Sequence, residues 1–381
     1  MPEISIWEQE TFLAPQDLIL VGSGFCGLWA AVQYAEKNPT KRITILERGS
    51  LPYGASTRNA GFSCFGSPSE ILHDIQAMGA DAVWNLVDMR FRGLARINQY
   101  FPDSVTGFDH AGGYECFEAN SAVWDGCASK LDELNRGMAS ITGITHTFQH
   151  ATHQLNELGL RNYAELIENK LEGGLHSGFL LQALWRKAQA LGVQVLTGVT
   201  VHALHPRSYG VDFETSLGWL HAKQGLLCTN AFTRALLPQA DIEPARGQVF
   251  VTSPLPHFRL RGTFHAEEGY YYFRNLGDRL LIGGARHTAF EAEATTEVST
   301  TAFIQEKLES YAQKHVLPEN QPYTITHRWS GIMGMGSTKF PIVERVSDQL
   351  FVCARMSGMG VALAPVVTER AIKLMEDAEK S

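Results

Sequence analysis

Three glycines at fixed spacing, Gly22, Gly24 and Gly27, and an acid 25 residues beyond the first, Glu47, are the residues whose types and separation point to chemistry. At a strand-to-helix turn, the first glycine permits the bend. The second lets backbone approach a pyrophosphate with no Cβ in the way, and the third lets the helix pack closely on the sheet. Free N–H groups in the first helical turn, with the partial positive charge of that helix end, would hold the phosphates. A carboxylate at the end of the next strand would accept hydrogen bonds from the adenosine ribose hydroxyls. Its charge disfavours a ribose 2′-phosphate, so a dinucleotide other than NADP is expected.

The elements needed to position those residues can be read around them. Asp17–Val21 is a short apolar run of the kind found in a strand buried on both faces. After the glycines comes LWAAVQYAEKNP, an Ala-rich helix that stops before Pro39, and then Arg42–Leu46, a second strand leading into Glu47. Strand, glycine turn, helix, strand and acid follow in the order that dinucleotide binding requires. The next segment, Leu51–Cys64, crowds small residues, hydroxyls and one arginine together. Ser56 and Thr57 can donate hydrogen bonds, Arg58 and Asn59 add charge and polarity, and Ala60-Gly61 permits close approach. That composition suits a loop along a pyrophosphate and under a flat ring, and it equally suits any Gly/Ser loop.

The runs DLILVGSGFCGLWAA, ILERG and GASTRNAGF, taken together, resemble the D-amino-acid oxidase superfamily of FAD-dependent oxidoreductases, which includes glycine, sarcosine and γ-glutamylputrescine oxidases. The similarity continues through EGGLHSGFL, VQVLTGVTV, GLLCTNA and ARGQ to FPIV, LFVC and SGMGVALAP, spanning about residues 5 to 378. It implies an α/β fold: a Rossmann-like FAD-binding domain with a discontinuous, mainly antiparallel-sheet substrate domain. The expected boundaries are 1–106, 172–244 and 326–381 for the FAD-binding domain, with 107–171 and 245–325 for the substrate domain. It implies cofactor contacts at the glycine turn, at Glu47 and Arg48, and along Ser56–Gly61. Further contacts are implied at Val201 near the adenine, at Thr229 and Asn230, and at Gly331. The C-terminal turn Gly358-Met359-Gly360-Val361 would open a helix whose positive end faces the flavin's pyrimidine edge.

The same resemblance implies the reaction: hydride removal from the carbon beside an amine to flavin N5, giving an imine that hydrolyses. O2 or another acceptor would reoxidise the flavin, and the protein would supply orientation and electrostatics. Tyr270, Tyr272 and Arg274 would share one face of a strand walling the substrate site, with Tyr271 and Phe273 on the other face. Arg274 would be a natural anion clamp, with Arg286 and His287 as further candidates. The sequence departs from glycine-oxidase-like members at Met333. There, in Trp329-Ser-Gly331-Ile-Met333, a carboxylate-binding arginine is replaced by a soft apolar side chain that cannot clamp a carboxylate. No Cys lies within 328–341 to tether a flavin, so FAD is expected to bind non-covalently.

Bulk properties fit this reading. The 381 residues are 44% hydrophobic and 19% charged, and the net charge of −8 argues against nucleic acid as a partner. Six scattered cysteines have no metal-ligand spacing, so no metal is expected. The opening MPEISIWEQETF has no signal-peptide pattern and no run reaches membrane-spanning length, so a soluble cytoplasmic protein is expected. Two alternatives explain part of the pattern: an NAD-dependent dehydrogenase, and a catalytically inert FAD-binding subunit. If the glycine turn holds the diphosphate, Gly24→Val abolishes FAD retention. A yellow, fully loaded variant on purification would refute the assignment.

Overall fold

The computed structural model describes residues 3–319 and 321–380. The chain forms two compact units, one of residues 1–57, 178–244 and 333–381, the other of 58–177 and 245–332.

The first unit is built on a sheet whose central strands, Gln16–Val21 and Ile43–Glu47, pair in parallel with Leu18 opposite Ile43 and Val21 opposite Leu46. Gly218–Leu227 and Leu350–Ala354 extend the parallel order on one side, and Gln194–Thr197 extends it on the other. Leu18, Ile19 and Leu20 are fully buried, as expected of strands covered on both faces. Helices Phe25–Lys37 and Gly360–Glu379 pack on each other. A buried polar contact fixes their register: Gln33 Nε2 donates to Pro365 O at 2.8 Å, and Thr368 Oγ1 donates to Gln33 Oε1 at 2.8 Å.

The second unit carries an eight-stranded sheet in the order Ile325–Met335, Glu243–Thr252, Arg279–Gly284, Tyr271–Leu276, Thr263–Ala266, Gly113–Phe117, Glu165–Asn169, Phe148–His150. One face is a packed core. Phe264 and Phe273 stack at 5.1 Å, and Tyr271 stacks on Tyr311 of helix Ala302–His315 at 3.7 Å. A two-residue turn, Gly277-Asp278, joins Leu276 to Arg279. Gly277 has φ +60° and Asp278 is not left-handed, so one residue supplies the positive φ that the two-residue turn needs. Thr106 ends a short helix, and Asp109 beyond it makes an isolated β-bridge with Gly174. Pro102 precedes Asp103–Thr106, and Gly107 at φ +63° closes it. A long helix runs from Ala122 to Thr142.

The units divide the chain at 57/58 and 177/178 rather than at the expected 106 and 171. Residues 58–106 group with the second sheet for physical reasons. Helix Pro68–Met78 packs against helices Ala80–Tyr100 and Ala122–Thr142, and its N-terminus is capped from the sheet. Glu115, buried on strand Gly113–Phe117, accepts from Ser69 N at 3.0 Å and from Ser69 Oγ. Glu172, also buried, accepts from Phe65 N at 2.8 Å and Gly66 N at 3.3 Å.

Burial pushes both carboxyls up, Glu115 to about 7 and Glu172 to about 8. A raised carboxyl pKa favours the folded state fully below the unfolded value, and that contribution fades as pH climbs through the folded value. Wild-type stability should therefore fall relative to Glu172→Gln between pH 5 and pH 8, by up to about 1.4 kcal/mol per pH unit. Denaturant titration of both proteins across that range checks this, and a constant gap would show a carboxyl already ionised at pH 5.

Candidate active site

In the first unit the glycine turn is enforced by lack of space. Gly22 has φ +102°, and a Cβ there would sit 2.8 Å from Cys228 O. At Gly27 a Cβ would lie 1.9 Å from Gly22 O, so helix and strand could not approach as they do. Gly24 is the N-cap of helix Phe25–Lys37 and offers no side chain to the N–H groups behind it. Ser56 Oγ accepts from Phe25 N at 2.8 Å, and a Cβ on Gly24 would lie 2.9 Å from that oxygen. Glu47 steadies the turn: Oε2 accepts from Ser23 N at 3.0 Å and Ser23 Oγ at 2.7 Å, and Oε1 accepts from Gly49 N at 2.9 Å. A carboxylate has about four lone-pair sites, so capacity for a further donor remains. A helix end whose own N-cap has no side chain, a turn with glycine at both ends and a carboxylate at the second strand's end together fit a diphosphate joined to a ribose.

Around this turn the first unit gathers other expected residues. Arg48 lies over the Phe232 ring at 4.7 Å, and Thr57 Oγ1 donates to Pro52 O at 2.8 Å. Val201 opens a strand opposite Thr215. Thr229 precedes the short helix Asn230–Ala235, its hydroxyl 3.0 Å from that of Thr233. Asn230 Oδ1 accepts from Met356 N at 3.3 Å. The C-terminal turn is strained in a localised way, with Arg355 at φ +59°, Ser357 at +46° and Gly358 at +81°. Arg355 is anchored to Asp241 and donates to Phe340 O at 2.8 Å. Met359 is the N-cap of Gly360–Glu379, where Gly360 and Val361 start the helix without a side-chain cap. A Cβ on Gly358 would lie 3.5 Å from Met333 Sδ, so the methionine packs beside this turn.

The second unit gathers the rest. Arg58 Nη1 donates to Ser330 O at 2.9 Å, Trp329 Nε1 donates to Arg58 O at 3.0 Å, and a Cβ on Gly331 would lie 2.9 Å from Arg58 Cβ. Asn59 Oδ1 accepts from Gly61 N at 2.8 Å and Ser177 Oγ at 2.6 Å, which shapes the loop through Ala60. Gly61 has φ +72°, and a Cβ there would meet Leu175 O at 2.3 Å.

Alternation along Tyr271–Leu276 puts Tyr271 and Phe273 in the core and Tyr272 on the opposite face. Tyr270 precedes the strand, 4.7 Å from His287 and 6.0 Å from Phe290. Tyr272 meets Phe62 edge-on at 6.0 Å, and Gly283 leaves it room, since a Cβ there would lie 2.5 Å from the ring.

Arg274 is buried, and backbone uses its donors: Nε reaches Asn275 O at 3.0 Å, while Nη1 reaches Gly61 O and, at 2.9 Å, Leu175 O. Desolvation lowers its pKa to about 10. As an anion clamp it is poorly placed, because Nη1 ties the Gly61 loop and Leu175 to the sheet and Nε is used by the neighbouring carbonyl of Asn275.

Sequence reasoning missed His265. It lies on strand Thr263–Ala266, in register with Tyr272 and 5.1 Å from the Phe62 ring. Burial lowers its pKa, keeping the imidazole neutral near pH 7. The alternation in Thr-Phe-His-Ala was the available signal, too short to separate from loop. Among the described residues no group of acids, histidines and cysteines is placed to hold a metal. Arg274→Met should lower unfolding free energy by roughly 3 kcal/mol through orphaned buried carbonyls. An unchanged denaturation midpoint would show that those contacts contribute nothing.

Comparison with known proteins agrees with this geometry. The chain matches the family described as DAO, FAD dependent oxidoreductase, over residues 17–374. It is 26% identical to a probable oxidoreductase OrdL of Rhizobium meliloti, across 91% of this chain and 80% of that protein. Its structure is similar to an L-proline dehydrogenase from P. horikoshii, with a TM-score of 0.76, 17% identity, and 95% of this chain and 94% of that one covered. It is also similar to a glycine oxidase from Geobacillus kaustophilus, with a TM-score of 0.71, 21% identity and 95% of each chain covered. The NAD-dependent alternative has no support beside these matches. With the family description reaching across nearly all of the sequence, the chain belongs to the DAO family and is an FAD-dependent oxidoreductase.

Proposed function

We propose that the protein oxidises the C–N bond of a small amine or amino acid, giving an imine that water hydrolyses. The observation that carries this reading is the face of the second sheet opposite its aromatic core. His265 and Tyr272 stand side by side in register there, walled by Phe62, while the other face is sealed by its aromatic core. Such a face can orient a small organic substrate without offering a strong nucleophile, which suits chemistry in which the cofactor accepts the electrons. The solved structures of similar fold named for glycine oxidation and proline dehydrogenation point to the same substrate class.

FAD would supply a two-electron acceptor when bound. In the first unit, Gly22, Gly24 and the first turn of Phe25–Lys37 would hold its diphosphate, and Glu47 its ribose. The helix end at Gly360 would stabilise negative charge. Non-covalent attachment is part of this reading, since residues 328–341 contain no cysteine. In the second unit, neutral His265 offers one acceptor and one donor nitrogen, and can accept a hydrogen bond from a substrate amine. The Tyr272 phenol, pushed up to about 12 by burial, stays protonated and donates. Met333 presents an apolar surface, which favours a substrate whose anion, if it has one, is held elsewhere. O2 or another small acceptor would complete turnover.

The test is anaerobic mixing of the yellow holoenzyme with a panel of primary and secondary amines and amino acids. Bleaching of the flavin by at least one of them is expected. A flavin that stays oxidised across the panel would leave a cofactor-binding protein of different activity.

A further inference from the structure

Three of the free cysteines, Cys26, Cys228 and Cys353, come together in the first unit beside the glycine turn. Leu227 and Val352 are partners where Gly218–Leu227 pairs in parallel with Leu350–Ala354, so Cys228 and Cys353 follow side by side. Leu227, Val352 and Ala354 point into one apolar cluster, and alternation turns Cys228 and Cys353 to the opposite face. The first turn of helix Phe25–Lys37 lies there, since a Cβ on Gly27 would sit 3.6 Å from Cys228 Cβ. Cys26 belongs to that turn, and its thiol and that of Cys228 both come within hydrogen-bonding contact of Cys353 Sγ. Adjacent strands lie about 4.8 Å apart, and a disulfide needs Cα atoms about 4.4–6.8 Å apart. Cys228 and Cys353 meet that backbone requirement.

A buried cysteine alone is a small apolar side chain. These three differ by where they stand. Cys228 O is the atom that Gly22 faces at φ +102°, where a Cβ would lie 2.8 Å from it. Cys26 is the second residue of the helix whose first turn is read above as holding the FAD diphosphate. Cys26 is 9% and Cys228 7% exposed, against 0% for Cys353, so access from solvent runs through the first two.

We infer that these three thiols are an oxidation site for a hydroperoxide, and that the disulfide formed at Cys353 distorts the glycine turn and releases FAD. Two thiols give up two protons and two electrons as the S–S bond forms. The hydroperoxide accepts them and its O–O bond breaks, so hydrogen peroxide leaves as two waters. Hydrogen peroxide arises whenever O2 reoxidises a reduced flavin, so a flavoprotein that uses O2 makes this oxidant itself. Closing the bond draws Cys228 toward Cys353, and a turn without spare room at Gly22 and Gly27 cannot follow and keep its shape. The Cys353 thiol and burial push Cys26 up, and the Cys228 thiol pushes Cys353 up. Little thiolate forms at neutral pH, so the site answers to sustained rather than brief oxidation. The inference rests on the glycine turn as the FAD site and is independent of the amine reaction.

The test holds the holoenzyme and Cys353→Ala, matched for flavin content, in millimolar hydrogen peroxide at mildly alkaline pH. Released flavin is measured after ultrafiltration, and unreduced peptides are mapped by mass spectrometry. Wild type should release most of its flavin and yield a peptide joining Cys353 to Cys228 or Cys26. Dithiothreitol should then restore FAD uptake, and Cys353→Ala should keep its flavin throughout. If Cys353→Ala is poor in flavin before treatment, Cys353→Val is read in its place. Wild type that forms no such link, a linked protein that keeps its flavin, or equal release from the variant overturns the inference. Failure of the FAD site itself is a separate result, read from a Gly24→Val protein that stays yellow.

Discussion

A backbone turn that has no room for a Cβ is the constraint on which the nucleotide-binding unit rests. Gly27 must pass within contact of Gly22 O for the first helix to lie on the sheet, and Gly22 must take a left-handed φ against the carbonyl of Cys228. Once those approaches are met, Gln16–Val21 can sit between Gly218–Leu227 and Ile43–Glu47, and the bare first turn of the helix is brought to the strands' carboxyl ends. Glu47 then serves twice. It ties the turn through Ser23 and Gly49, and it keeps lone pairs for a ligand. Any larger residue at Gly22 or Gly27 would shift backbone against backbone, which flexible side chains cannot relieve.

The second unit is organised by buried polar groups, and most of them are structural. Glu115 caps a helix, Glu172 holds the loop at Phe65-Gly66, Arg274 gathers Gly61 and Leu175, and Arg246 closes on Glu293. Each would be costly to leave alone in a low-dielectric interior, and each has its partner.

What a buried arginine does follows from its partners rather than from its residue type. Arg274 sits on the face that strand alternation assigns to the substrate, yet its donors go to carbonyls from chain 99 and 213 residues away. Arg286 lies outside the strand, after a left-handed Ala285, in a place that periodicity does not reach. Met333, by contrast, was placed by motif spacing, and its packing beside Gly358 agrees with an apolar contribution.

What the sequence determined by itself is whatever depends on short-range spacing. That includes the glycine turn with its flanking strands and helix, the acid at the second strand's end, the alternation of Tyr271 and Phe273 against Tyr272, and the hairpin at Gly277. These follow from the strand and helix periods and from φ preferences, which act within a few residues. Tertiary structure decided the grouping of 58–106, the helix at 103–106, the placing of His265 beside Tyr272, and which partners each buried arginine meets. Those outcomes depend on partners distant in the chain, such as Glu115 for Ser69 or Glu293 for Arg246, and a local pattern carries no record of which side chains will meet.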